Sequence, residues 1–215
     1  MNPYLALPVL LFSVVFHECA HGIAAFRAGD PTAYRLGRIT LNPIPHLDLF
    51  GSIILPFLLY ISHAGFFIAW AKPVPVNPAL FRNPRRDDLM VAVAGPLSNI
   101  VLAVLFALLG ILFRFPVTEP SLAEGLGEVL FLVCYYGIGI NLLLAFFNLI
   151  PVFPLDGSHI LANLLPPDLE QRYRSLNRYG FAILLILIMT PVVDLFLAPA
   201  RILQIAFVRI WLSFY

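Results

Sequence analysis

Five residues near the start of the chain, His17-Glu18-Cys19-Ala20-His21, set two imidazoles and a carboxylate inside an apolar run covering 4–25. In a helix, residues four apart lie about 40° apart around the axis, so His17 and His21 can offer nitrogens to one metal ion. Glu18 then stands beside that ion as a candidate general base. Ionisable side chains inside an apolar segment are costly unless paired or metal-bound, so such a cluster points to function. The plain alternative is a helix with two satisfied core histidines and a chance glutamate.

A third ligand decides between these readings. Asn148-Leu149-Ile150-Pro151-Val152-Phe153-Pro154-Leu155-Asp156-Gly157 closes a long apolar run with two prolines and a carboxylate. Proline removes backbone donors and unwinds helix, so Asp156 can leave the helix and reach sideways. Two histidines and one carboxylate make a three-ligand zinc site with an open fourth position, the catalytic pattern. A plain turn at a membrane boundary is the competing reading of Asp156-Gly157.

His17 to His21, Gly95-Pro96-Leu97-Ser98-Asn99 and Asn148 to Gly157 occur in the order seen in the site-2 proteases, zinc metalloproteases that cut within the membrane. The chain resembles that family over most of its length. The resemblance implies one Zn2+ per chain, with His17, His21 and Asp156 as ligands and Glu18 as catalytic acid and base. It implies Asn148 as a polar contact to substrate backbone, and Asn99 as a residue lining or supporting the site. It also implies a compact member, one domain over 1–215 without a PDZ-like or CBS domain, in a prokaryotic cell membrane. The partners implied are a transmembrane protein or peptide substrate and the lipid bilayer.

Composition agrees with a membrane setting. Hydrophobic residues make up 60% of the 215 and charged residues 12%, too apolar for a soluble domain and suited to a polytopic one. A net charge of +1 gives no reason to expect nucleic acid as a partner. Cys19 and Cys134 sit in apolar runs and read as small packing residues. Met1-Asn2-Pro3 lacks the basic start of a secretion signal, so the first run is expected to remain as a helix.

The elements that must position these residues follow from the apolar runs. The predicted fold is an all-α polytopic membrane protein with five to six membrane segments. Runs at 4–25, 89–113, 126–150 and 179–197 are long enough to span, and 200–214 is short. Loose alternation over 34–42 predicts a short strand or hairpin at the membrane edge, with an interfacial loop as the alternative. The run at 50–71, broken by Pro56, His63 and Gly65, predicts a re-entrant segment. Ser158 is a candidate cap for a short helix over 159–165, and His159 a neighbour of the site.

For one ion to join 4–25 to the end of 126–150, those two helices must run parallel. Ten of the 13 basic residues, from Arg27 and Arg35 through Arg85 and Arg86 to Arg178, then share one side. The positive-inside rule makes that side cytoplasmic, with the zinc site nearer it. Peptide hydrolysis there needs activated water, a base and a locally unwound substrate, which zinc, Glu18 and Asn148 would respectively serve. Other readings are a prenyl-protein type of membrane zinc protease, a membrane metal-ion carrier and a catalytically inactive binding protein of the same fold. The first would need a later glutamate as third ligand, and Glu119, Glu124 and Glu128 are expected on the opposite side; the carrier would favour repeated halves, and the sequence shows no repeat.

Overall fold

The computed structural model describes residues 3–54, 58, 61–62, 70–112 and 122–213. The first helix, α1 (Pro3–Ala28), opens on a proline and ends where Gly29 takes φ 111°, a conformation that favours glycine. One further turn, α2 (Thr32–Arg35), is tied to the buried Asp30, whose Oδ1 accepts from the Thr32 N–H and hydroxyl.

The strand or hairpin expected over 34–42 is not present. The segment is α2 followed by turns, and no strand occurs among the described residues. Its donors are used locally: the N–H of Leu36 bonds Thr32 O, and that of Arg38 bonds Ala33 O. Alternation of side chains was therefore a weak guide, because a ladder needs free donors and acceptors on a facing strand.

The 50–71 run begins in a wide helical turn, Leu49–Ile54. Its two ends meet: the Trp70 N–H donates to Gly51 O at 3.2 Å, and Ser52 Oγ donates to Trp70 O at 2.7 Å. Most of the run, including His63, lies outside the described residues. From Ala71 an extended strap, 72–78, carries three prolines back across α1.

Three long helices form the centre. α3 (Pro84–Leu112) starts five residues before the apolar run and continues through Pro96. α4 (Leu122–Asn148) follows it. Ser13 and His17 of α1 touch Asn99 of α3, while His21 reaches Val91, so α1 and α3 are antiparallel. Asn99 meets Asn141, and Gly137 faces Phe106, so α4 is also antiparallel to α3. Hence α1 and α4 run parallel, as a shared metal ion requires.

After a series of turns come α5 (Asp156–Leu164), α6 (Pro167–Arg174), α7 (Gly180–Ile188) and α8 (Val192–Leu212). Ser158 lies within α5 rather than capping it, bonding back to Leu155 O. Trp211 of α8 lies over Gly110, beside Ala103, Ala107 and Ile138, where small residues let the helices approach closely.

Among the described residues three helices are long and apolar enough to cross a membrane, Tyr4–Ala28, Pro84–Leu112 and Gly125–Asn148. A fourth crossing results if Pro167–Ile188 and Val192–Trp211, bent by 71°, count as one. The expected five to six, which counted the segment at 50–71, are not reached among the described residues. The runs at 179–197 and 200–214 do not separate at Ala198. The chain breaks instead at Thr190-Pro191, where the residue before a proline is turned away from helix, and α8 then runs through Pro199.

Candidate metal centre

Helical spacing puts His17 and His21 on one face of α1, both buried. Asp156 arrives from the far end of the chain as the first residue of α5. Turns over 149–155 fold α5 back against the end of α4, and Gly157 makes that possible. A Cβ there would lie 2.3 Å from Leu149 O. The carboxylate also sits in the first turn of α5, where the helix dipole favours negative charge.

The three ligand groups converge. His17 Nε2 lies 3.2 Å from Asp156 Oδ2, His21 Nε2 lies 3.3 Å from Asp156 Oδ1, and the two Nε2 atoms are 3.0 Å apart. Zinc bonds of about 2.0–2.2 Å at tetrahedral angles give ligand separations of about 3.3–3.6 Å, close to this triangle.

Each ring's other nitrogen faces an acceptor. His17 Nδ1 lies 2.6 Å from Asn99 Oδ1, and His21 Nδ1 lies 2.7 Å from Val91 O. Both Nδ1 atoms therefore donate, and both Nε2 atoms offer lone pairs to the third group. Asp156 Oδ2 is buried and meets no hydrogen-bond donor. Two lone pairs and a carboxylate at these separations repel one another unless a cation or proton lies among them. The residues present fit a zinc ion.

Gly95 of α3 completes the cradle. A Cβ at this position would lie 2.3 Å from His21 Nε2 and 2.6 Å from His17 Nε2. In the sequence Gly95 stood only as part of the Gly95 to Asn99 motif, with nothing to mark this close approach.

Glu18 lies beside the triangle in the same pocket of about 310 Å3. Its Oε2 accepts from the Val74 N–H at 2.7 Å. The strap that supplies this N–H is tied at both ends. Arg38 donates to Lys72 O and Pro73 O, and the Asn77 N–H donates to Asp30 Oδ2 at 2.7 Å. Burial pushes the Asp30 carboxyl up, but bonds from Asn77 and Thr32 outweigh it and hold the group low. No spacing in the sequence singles out Asp30 for this part.

Asn148 lies on the pocket wall, its Nδ2 bonded to Leu144 O at 3.0 Å. His159 lies on the same wall, with Nδ1 3.6 Å from Asp88 Oδ2, and Asp88 also receives Asn163. Asn99, expected from the sequence to line or support the site, is fully buried behind His17. Its amide holds the imidazole and does not face the pocket. Asn141 and Ser13, both fully buried, join Asn99 there. An amide in the middle of a spanning run was the one sequence signal for Asn141.

Comparison with known proteins agrees with this geometry. The description "Peptidase family M50" matches residues 5–130 and 121–187. A Bacillus subtilis protein named "Putative zinc metalloprotease YwhC" is 40% identical over 199 residues, covering 93% of this chain and 86% of that one. A Mycolicibacterium smegmatis protein named "Putative zinc metalloprotease Rip2" is 30% identical, covering 86% of this chain and 66% of that one. A Methanocaldococcus jannaschii protein named "Putative zinc metalloprotease MJ0611" is 28% identical, over 68% of this chain and 63% of that one. No solved structure matches the chain. Ordered motifs, a His2Asp triangle and a family match over most of the length lead to one assignment: the chain belongs to peptidase family M50, the site-2 protease family, and is a zinc metalloprotease.

Proposed function

We propose that this multi-pass membrane protein hydrolyses peptide bonds in or near the transmembrane segments of other membrane proteins, as a single domain over 1–215. The observation that carries the reading is the His17, His21 and Asp156 triangle sharing a pocket with Glu18, midway along a spanning helix. His17 and His21 lie about 10–17 Å from the Ala28 end of α1, at 1.5 Å per residue. That depth lies below the surface of a bilayer whose hydrocarbon core is about 30 Å thick.

His17, His21 and Asp156 hold the zinc. Zinc supplies Lewis-acid activation of water and of the scissile carbonyl. Glu18 takes the proton from the attacking water and returns it to the leaving amine. Its Oε2 is fixed by the Val74 N–H, which leaves Oε1 to carry that proton. Asn148 offers its amide to backbone groups of an unwound substrate. Asn99 acts through His17. With most basic residues on the Ala28 side of α1, that side is cytoplasmic in a prokaryotic cell membrane, and the zinc lies nearer it.

The test uses purified full-length chain and a transmembrane peptide. Glu18→Gln is expected to keep zinc and lose cleavage, while His21→Ala loses zinc. Cleavage at the unaltered rate by Glu18→Gln would remove Glu18 from its role, and no cleavage by the unaltered, zinc-loaded chain would overturn the hydrolytic reading.

A further inference from the structure

We infer that Ser13 and Asn141 are positioning residues for His17, acting through Asn99 to fix which ring nitrogen carries the proton. This rests on the metal-centre reading above and extends it two hydrogen bonds further from the ion.

A side-chain amide can face either way. If Asn99 presented Nδ2 to His17 Nδ1, the ring would have to accept there, and its proton would move to Nε2. That tautomer has no lone pair for a metal. The direction of the Asn99 amide is therefore a functional variable, and the structure contains a device that sets it.

Asn99 Nδ2 donates to Asn141 Oδ1 at 2.8 Å and to Ser13 O at 3.3 Å. Asn141 is itself oriented, because its Nδ2 donates to Gly137 O at 2.8 Å and to Ser13 Oγ at 2.9 Å. The Ser13 hydroxyl donates to Val9 O at 2.7 Å, so toward Asn141 it accepts. Three backbone carbonyls, of Val9, Ser13 and Gly137, can only accept. They set one polarity for the whole chain of bonds, ending with Asn99 Oδ1 toward His17 Nδ1 and a lone pair on Nε2. Ser13, Asn99 and Asn141 all have 0% exposure, so no water competes to reverse it. Each comes from a different helix or turn position: Ser13 from α1, Asn99 from α3 and Asn141 from α4.

The same bonds also join three helices, and interhelical bonds between polar side chains are common in membranes without serving a metal. A double-mutant cycle read in zinc affinity separates the two roles. Zinc dissociation constants are measured on purified full-length chain in detergent for Asn99→Leu, Asn141→Leu and the pair. Partners behind a metal-binding histidine alter metal affinity by about 10–100-fold. Expected is a loss of that size for Asn99→Leu, a loss of about 10-fold for Asn141→Leu, and no further loss in the double variant. Cobalt bound to Asn141→Leu is expected to show shifted ligand-field bands, a change that helix adhesion alone would not cause. Ser13→Ala is the smaller truncation and should move affinity and spectrum in the same direction if Asn141→Leu fails to fold.

Unaltered zinc affinity in folded Asn141→Leu overturns the inference. So does a double variant whose loss is the product of the two single losses. A chain in which His17→Ala binds zinc as tightly as the original would instead overturn the metal centre itself.

Discussion

Gly95→Ala offers the sharpest check on the site, because two opposing effects are set by known distances. Inside a helix, replacing glycine with alanine ordinarily stabilises by about 0.5–1 kcal/mol. Here the new Cβ would lie 2.3 Å from His21 Nε2, 2.5 Å from His17 Cε1 and 2.6 Å from His17 Nε2. Ordinary contact begins near 3.4 Å, so the shortfall against His21 is 3.4 − 2.3 = 1.1 Å. The rings have little room to retreat. His17 is held at Nδ1 by Asn99, and His21 is held by Val91 O, which belongs to the same helix as the intruding methyl. Overpacking of this kind costs about 1–3 kcal/mol and exceeds the helix-propensity gain. A metal site tolerates only about 0.2 Å of error in its bonds, so a displacement near 1 Å detaches a ligand. Expected are a net destabilisation of about 0.5–2 kcal/mol and a rise in zinc dissociation constant beyond the ~100-fold typical of outer partners. The assays are thermal unfolding in detergent and competition with a zinc chelator. Two further glycines calibrate them. Gly110→Ala meets Trp211 at 2.5 Å, away from the pocket, and should lose stability but keep zinc affinity. Gly125→Ala meets nothing within 4 Å and should be neutral or stabilising. Unchanged zinc affinity in Gly95→Ala would refute the reasoning about the cradle.

Adding zinc should raise the unfolding free energy, by about 2.7 kcal/mol at a free concentration 100 times the dissociation constant, and a chelator should reverse it; Asp156→Asn should show a much smaller rise. Asp30→Asn should weaken the hold on the strap and cost about 1.5–3 kcal/mol at neutral pH, read by chemical unfolding. Because the folded Asp30 carboxyl is held below its ordinary 3.8, its contribution is complete above that value. The contribution is lost as pH falls through the lowered folded value, so Asp30→Asn should show a shallower loss of stability below about pH 4.

The parts of the site written in the sequence are those set by local geometry. His17 and His21 could be paired because four residues make about one helical turn. Asp156 could be proposed because a carboxylate follows an apolar run broken by Pro151 and Pro154. Parallel α1 and α4 followed from asking one ion to join them. The missed features depend on which helix faces which, and at what register. Asn99 lay on the expected helix, but only packing turns it toward Nδ1 of His17 and away from the pocket. The 34–42 alternation misled because it carries no information on whether a partner strand exists, and the nearby turns use the donors such a strand needs. Pro191 ends a helix while Pro199 is carried inside one, a difference composition alone does not encode, since proline in a membrane helix can end it or be absorbed by its neighbours.

Register also explains why so few residues suffice. Ser13, His17 and His21 are spaced by four along α1, and Val91, Gly95 and Asn99 are spaced by four along α3. Laid antiparallel, the two stripes bring Ser13 and His17 to Asn99, both histidines to Gly95, and His21 to Val91. Gly137 and Asn141, also four apart, extend the stripe onto α4. A single repeat of about one turn on three helices thus gives the metal two oriented nitrogens, the space to hold them and the groups that set their protons. Asp156 is the one ligand outside this repeat, and it reaches the site only because Gly157 lets α5 press against the end of α4. The fixed pair of imidazoles and the carboxylate therefore depend on separate pieces of packing. A shift of α3 along α1 by one residue would turn Gly95 and Asn99 about 100° away from the histidines without moving Asp156, so this helix interface, more than the motif itself, decides whether the ligands can act together.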